Sequence, residues 1–216
     1  EQEFGNANSL DVALGDLNGN GYLDIVVANY GDSNGIWLND KAGNFYDAAR
    51  LGNSNSYSVD LGDLDGDNDL DVVFTNINGI NTIWLNDGLG VFSESEYNLG
   101  DGDITKSVSV ALGDLDGDGD LDAMITNVRS ANTVWINDGA GIFTDSGQEL
   151  GSNSSRSVVL GDIDMDGDLD AVVANSEQPN YVWINDGFGN FINHVEGLGN
   201  NDSRVVVLGD IDLDGD

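Results

Sequence analysis

The sequence predicts an all-β fold of β-propeller type, built from four-stranded antiparallel blades. Three observations carry this reading: a repeat of 47 to 51 residues, a fixed spacing of motifs within it, and short strand-like runs where helical patterns are missing. The run from Gly15 to Asp24 recurs in near copies from Gly62, Gly113 and Gly161, and a fifth copy starts at Gly209. A second signature, Trp-[Leu/Ile]-Asn-Asp leading to Gly and Phe, begins at Trp37, Trp84, Trp135 and Trp183. In all four complete copies the first glycine precedes the tryptophan by 22 residues, and the tryptophan precedes Phe45, Phe92, Phe143 or Phe191 by 8. Length varies only between that phenylalanine and the next glycine, most of all near Asp101–Lys106, as it would if rigid repeats were joined by surface connections.

Each repeat reads as four short strands. The first alternates, placing Val12 and Leu14, Val59 and Leu61, Val110 and Leu112, Val158 and Leu160, and Val206 and Leu208 on one face. An acidic loop follows. The second strand is a brief apolar, β-branched run such as Ile25–Ala28 or Ala171–Ala174, too short for an ordinary helix. The third carries the tryptophan, as in Thr82–Leu85, and the turn Asn86-Asp87-Gly88 leads to a fourth strand at Phe92. The expected blades are 6–52, 53–100, 101–151 and 152–199, with a partial fifth over 200–216, all in one repeat domain, 1–216. The tryptophans and phenylalanines recur once per repeat at fixed phase, so they are expected in the core between blades. Glu3-Phe4-Gly5 aligns with Asn98-Leu99-Gly100, so the first residues read as the tail of a preceding fourth strand and the chain as an excerpt of a longer protein.

The acidic loop supplies oxygen ligands at alternate positions and then once more four residues on. The sets are Asp16, Asn18, Asn20 and Asp24; Asp63, Asp65, Asp67 and Asp71; Asp114, Asp116, Asp118 and Asp122; and Asp162, Asp164, Asp166 and Asp170. The fifth copy offers Asp210, Asp212 and Asp214. Alternate side chains converge when the backbone curls around a hard cation, and calcium takes six to eight oxygens in this manner. Glycine after the third ligand (Gly21, Gly119, Gly167, Gly215) suits a positive φ, and Asn68 replaces it in the second copy. The residue after that varies, so its expected contribution is a backbone carbonyl. Magnesium retains water and fits less well, and zinc finds no cysteine and a single His194. The first loop has only two carboxylates and is expected to bind most weakly.

The bulk composition narrows the function classes. Forty acidic residues against six basic ones give a net charge of −34, which disfavours nucleic acid and anionic membrane as partners and favours cations. Apolar residues make up 39% of the chain, enough for a core, so the acidity does not imply disorder. No cysteine is available for a disulfide or a thiolate nucleophile. No apolar run has the length of a membrane span, and Glu1 opens no signal-peptide pattern, so any export signal is expected to have been removed already.

The loop G-D-x-[DN]-G-[DN]-x-x-x-D, followed by an apolar strand and W-x-N-D-G-x-G-x-F, resembles the FG-GAP and VCBS-type repeats. These occur in the propeller of integrin α subunits and in many secreted or surface-attached bacterial proteins. The resemblance covers essentially the whole chain. It implies a propeller, commonly seven-bladed, with calcium in the loop between a blade's first and second strands. It also implies roles in adhesion, recognition or scaffolding, with some members accompanying catalytic domains.

The expected function is therefore that of an extracellular calcium-binding module, secreted or at the cell surface, with a protein or carbohydrate partner. Alternatives are a lectin-like propeller that reads sugars between blades, a non-catalytic domain attached to a secreted enzyme, and a homo-oligomer or filament subunit. An enzyme is disfavoured, because the one histidine sits beside Asn193 with no Ser-His-Asp arrangement and the paired carboxylates belong to the metal loops. Asn153-Ser154-Ser155 and Asn201-Asp202-Ser203 are sequons at equivalent places, and exposure is expected if they carry glycans.

Overall fold

Alternating apolar residues and glycine-rich turns produce sixteen strands in the computed structural model, which describes residues 7–53, 55–100, 106–199 and 202–209. The first sheet runs β1 (Asn8–Gly15), β2 (Asp24–Tyr30), β3 (Asn34–Asn39), β4 (Phe45–Leu51). The second runs β5 (Ser56–Gly62), β6 (Asp71–Asn76), β7 (Asn81–Asn86), β8 (Phe92–Leu99). The third is β9 (Ser107–Gly113), β10 (Asp122–Asn127), β11 (Thr133–Asn137), β12 (Phe143–Asp145), and the fourth β13 (Ser155–Gly161), β14 (Asp170–Asn175), β15 (Asn180–Asn185), β16 (Phe191–Leu198). In each sheet the strands lie in sequence order as a meander, and the pairings are antiparallel. No helix occurs among the described residues.

The chain divides into two compact units, Glu1–Ser107 with Gly139–Ile142, and Val108–Asp138 with Phe143–Asp216. In the first unit, Leu17, Val26, Ala28, Ile36 and Leu38 of one repeat pack on Val59, Val72 and Phe74 of the next. In the second, Leu115, Met124 and Val134 pack on Val158, Ala171, Val173 and Trp183. Strands β6, β10 and β14 are buried at every position. Trp84 and Phe92 join the first core, and Trp183 and Phe191 the second, as their fixed phase predicts.

Inner strands are also stitched by polar bonds, since Ser58 Oγ and the Val59 N–H donate to Asp11 at 2.7 and 3.1 Å. The glycines that open three of the acidic loops, Gly15, Gly113 and Gly161, are there for space. A Cβ on Gly15 would stand 2.6 Å from Leu70 Cδ1, and one on Gly113 would stand 2.7 Å from Leu169 Cδ1.

Two features depart from the regular pattern. The fourth strand of the third repeat is only three residues long, because the chain turns away at Ser146-Gly147, with Gly147 at φ 74°. Gln148 then takes over the edge contact, accepting the Phe191 N–H at 2.8 Å. The fifth first-strand is the other. Residues 202–209 form no strand, and Val205 and Val207 are largely exposed. They still follow the last sheet, with the Val206 N–H donating to Ser157 Oγ at 3.4 Å.

Candidate metal centre

Each acidic loop joins a first strand to a second and is curled by its own carboxylates. Asp63 Oδ1 accepts the N–H groups of Gly66 and Asp67 at 2.8 and 3.1 Å, and its Oδ2 accepts that of Asn68 at 2.9 Å. Asp16, Asp114 and Asp162 make the equivalent bonds to Gly21, Gly119 and Gly167. The third ligand position closes a second, smaller turn, with Asn20, Asp67, Asp118 and Asp166 accepting the N–H two residues on. The residue after it has positive φ in every described loop: 84° at Gly21, 70° at Asn68, 98° at Gly119 and 102° at Gly167. That is the conformation the sequence predicts there.

The fourth aspartate is fully buried and does two jobs. Asp71 Oδ2 accepts the Leu64 N–H at 2.9 Å inside the loop, and Oδ1 accepts the Asn86 N–H at 2.8 Å from the end of β7. Asp24, Asp122 and Asp170 repeat the arrangement on Leu17 and Asn39, Leu115 and Asn137, and Ile163 and Asn185. One carboxylate thus fixes the loop to the third strand while a second lone pair on each oxygen stays available.

Three loops bring a ligand oxygen from each of three aspartates within 4.8 Å of one another: Asp63, Asp65 and Asp71; Asp114, Asp116 and Asp122; Asp162, Asp164 and Asp170. The third carboxylates, Asp67, Asp118 and Asp166, are not in these groups. The first loop holds Asp16 and Asp24 with Asn18 and Asn20, so it forms no carboxylate triad. Asp210, Asp212 and Asp214 lie outside the described residues.

The electrostatics are those of clustered, partly desolvated carboxylates. Burial pushes the carboxyls of Asp71 and Asp122 up to about 6, against the partial compensation of their backbone N–H bonds. Asp65, Asp116 and Asp164 are also raised, by desolvation first and then by the neighbouring Asp67, Asp118 and Asp166. The ion pairs of Arg50 with Asp47 and of Arg204 with Asp202 lie elsewhere. Asn18 Oδ1 and Asp65 Oδ1, both at the second ligand position, are buried without a hydrogen-bond partner. A hard cation supplies what these oxygens lack, so the residues present can hold one.

An FG-GAP-like repeat model matches four overlapping stretches, residues 16–74, 63–125, 114–173 and 162–216. The chain belongs to the FG-GAP-like repeat family. Two solved structures resemble it in fold: BBS1N in complex with ARL6DN, soaked with lead, and the same complex soaked with mercury. The first is 12% identical with a TM-score of 0.58, covering 87% of this chain and 56% of that one. The second is 12% identical with a TM-score of 0.62, covering 89% and 55%. This chain therefore spans little more than half the length of those chains, and the likeness concerns the fold alone. No curated protein matches the sequence. The four sheets are blades of a β-propeller fold.

The FG-GAP-like repeats here carry two polar devices beyond the acidic loop. The asparagine of the Trp-x-Asn-Asp signature is one. Asn86 Nδ2 donates to Leu70 O in its own blade and, at 2.9 Å, to Leu17 O of the preceding loop; Asn185 does the same to Leu169 O and to Leu115 O at 2.7 Å. The other lies at the far end of each blade. Ser56 Oγ donates to Asn76 Oδ1, the Asn76 N–H to Asn81 Oδ1, and Asn81 Nδ2 to Ser107 Oγ, at 2.7, 2.8 and 3.0 Å. Ser155, Asn175, Asn180 and Ser203 form the same relay. Identical residues at identical phase, such as Ser9, Ser56, Ser107, Ser155 and Ser203, were the available signal. Of the two sequons, Asn153 is half-buried with its side-chain nitrogen buried, and Asn201 lies outside the described residues.

Proposed function

We propose that this chain is a calcium-stapled recognition or scaffolding module of the extracellular space, without catalytic chemistry of its own. The observation that carries the reading is the recurrence, at one phase, of three aspartate oxygens within 4.8 Å, one of them fully buried. Calcium held there would neutralise these charges and give the curled loop its centre. Asp63, Asp65 and Asp71 would hold it in the second blade, with Asp67 available beside them, and the matching residues in the third and fourth. Calcium fits better than magnesium because many protein oxygens converge in a flexible loop.

Protein is the favoured partner class, supported by the BBS1N neighbours having been solved in complex with ARL6DN. The acidic surface favours a partner with basic groups or one bridged by cations. The carbohydrate reading has no comparable support, since the recurrent tryptophans Trp84 and Trp183 are spent in the cores between blades.

Thermal unfolding in chelator, in millimolar calcium and in millimolar magnesium tests the proposal. A ligand that binds only the native state stabilises by about 2.7 kcal/mol per site at a hundredfold excess over Kd. Each filled site should then raise the midpoint by roughly 5–10 °C for a chain of this size. Calcium is expected to produce the larger shift. Coincident curves in all three buffers would overturn the calcium reading.

A further inference from the structure

In the first three blades the metal loop is closed from outside by the hairpin turn of the blade that follows. The turn after β7 lays Gly90 over the first loop, where a Cβ would stand 3.7 Å from Asn18 Cβ and 3.2 Å from Leu38 Cδ1. Gly141 is placed likewise over the second loop, 3.7 Å from Asp65 Cβ. In the second unit Gly189 covers the third, 3.5 Å from Asp116 Cβ. The residue touched in each case is the second ligand position.

A second glycine meets this turn from the loop side. Cβ atoms on Gly19, Gly66 and Gly117, each between the second and third ligand positions, would lie 3.8, 3.3 and 3.2 Å from the carbonyl oxygens of Gly88, Gly139 and Gly187. Positive φ favours glycine at all three, yet it does not by itself require one. The fourth loop places Met165 at the same position with φ 62°, against 65°, 78° and 79° for Gly19, Gly66 and Gly117. The difference is room, for Met165 is 59% exposed and its neighbours Asp162 and Asp164 are exposed as well.

We propose that the covering turn is a positioning element of the metal site. The glycine-on-glycine seam fixes the second ligand and shuts water away from it, so a loop's cation affinity depends on the docking of the following blade. This rests on the calcium reading above. The orphaned, buried Oδ1 atoms of Asn18 and Asp65 sit under such turns. Residues around a metal that orient its ligands change affinity by about 10–100-fold when altered.

The test is a calcium titration of the full chain followed site by site through the amide resonances of Gly21, Asn68, Gly119 and Gly167. Gly90→Ala is compared with Gly43→Ala, whose glycine occupies the same turn position at φ 84° but has nothing within 4 Å of its Cβ. Both variants carry the same backbone strain. Gly90→Ala should weaken the first loop by on the order of tenfold and leave the other three alone, whereas Gly43→Ala should move no site. Gly117→Met should weaken the third loop alone, and it decides the matter if Gly90→Ala does not fold. Unchanged affinity at the loop beneath a folded variant overturns the seam while calcium binding stands. A wild-type chain with no calcium response at any loop overturns both.

Discussion

The two ends of a blade solve one problem with opposite chemistry. At both ends, buried side chains must tie the first, second and third strands together and satisfy backbone groups that no strand partner reaches. At the acidic end Asp71 accepts the Leu64 and Asn86 N–H groups, and it does so as a carboxylate pushed up to about 6 by burial. At the other end Asn76 and Asn81 join Ser56 and Ser107 in a neutral relay in which donors and acceptors balance. A satisfied neutral network rigidifies without a counter-ion, whereas buried like charges cost free energy until something neutralises them. One end is satisfied by its own neutral groups, and the other, on the calcium reading proposed above, depends on a cation. On that reading the same strands carry a permanent asparagine tie at one end and a metal-dependent clasp at the other.

The largest expected effect comes from removing Asp71, which clasps the loop to the third strand and is proposed as a calcium ligand. Asp71→Ala strands two buried N–H donors, which costs roughly 2–5 kcal/mol from the hydrogen bonds alone. Denaturant unfolding should show that loss in chelator and a larger one in calcium, because the triad with Asp63 and Asp65 is also broken. Equal losses in the two buffers would make Asp71 purely structural and would leave the clasp without its metal dependence.

Asn76→Ala probes the neutral end. Asn76 is fully buried, donates from Nδ2 to Ile80 O at 2.6 Å and accepts from Ser56 Oγ, so its truncation is expected to cost about 1–3 kcal/mol. The decisive feature is sameness, with the loss unchanged between chelator and calcium. A calcium-dependent loss here would erase the contrast between the ends.

The contrast also explains what the sequence disclosed. The strands were readable because Val12 and Leu14 alternate, Asn86-Asp87-Gly88 turns, and both recur at fixed phase. The acidic loop was readable because carboxylates at alternate positions converge when a backbone curls around a hard cation. Asn76 and Asn81 were not, since asparagine at a strand end looks like ordinary turn chemistry and polar residues are expected outside. Asn86 hid its role in another way. Its acceptor, Leu17 O, is 69 residues away, and only the stacking of blades brings the two together. The short β12 was concealed by length, for the third repeat keeps its Trp135–Phe143 spacing and departs from the pattern only at Ser146-Gly147.

The last effect, and the one that separates the two ends by sign, is the pH dependence of stability. Asp71 and Asp122 have folded values of about 6 against an ordinary 3.8, raised chiefly by burial. Between those two values the folded chain binds protons that the unfolded chain releases, so protonation favours the fold. In chelator, stability should therefore climb as pH falls from 7 through 6 toward 4.5. In calcium the order reverses, because protons now compete with the cation for the same oxygens and acidification removes its contribution. The relay of Asn76, Asn81, Ser56 and Ser107 has no group that titrates in this window. Midpoints recorded at half-unit pH steps in both buffers should then converge on the acid side. A chelator curve that declines from pH 7 would mean that the buried aspartates are already compensated without metal, and the acidic end would be as self-sufficient as the other.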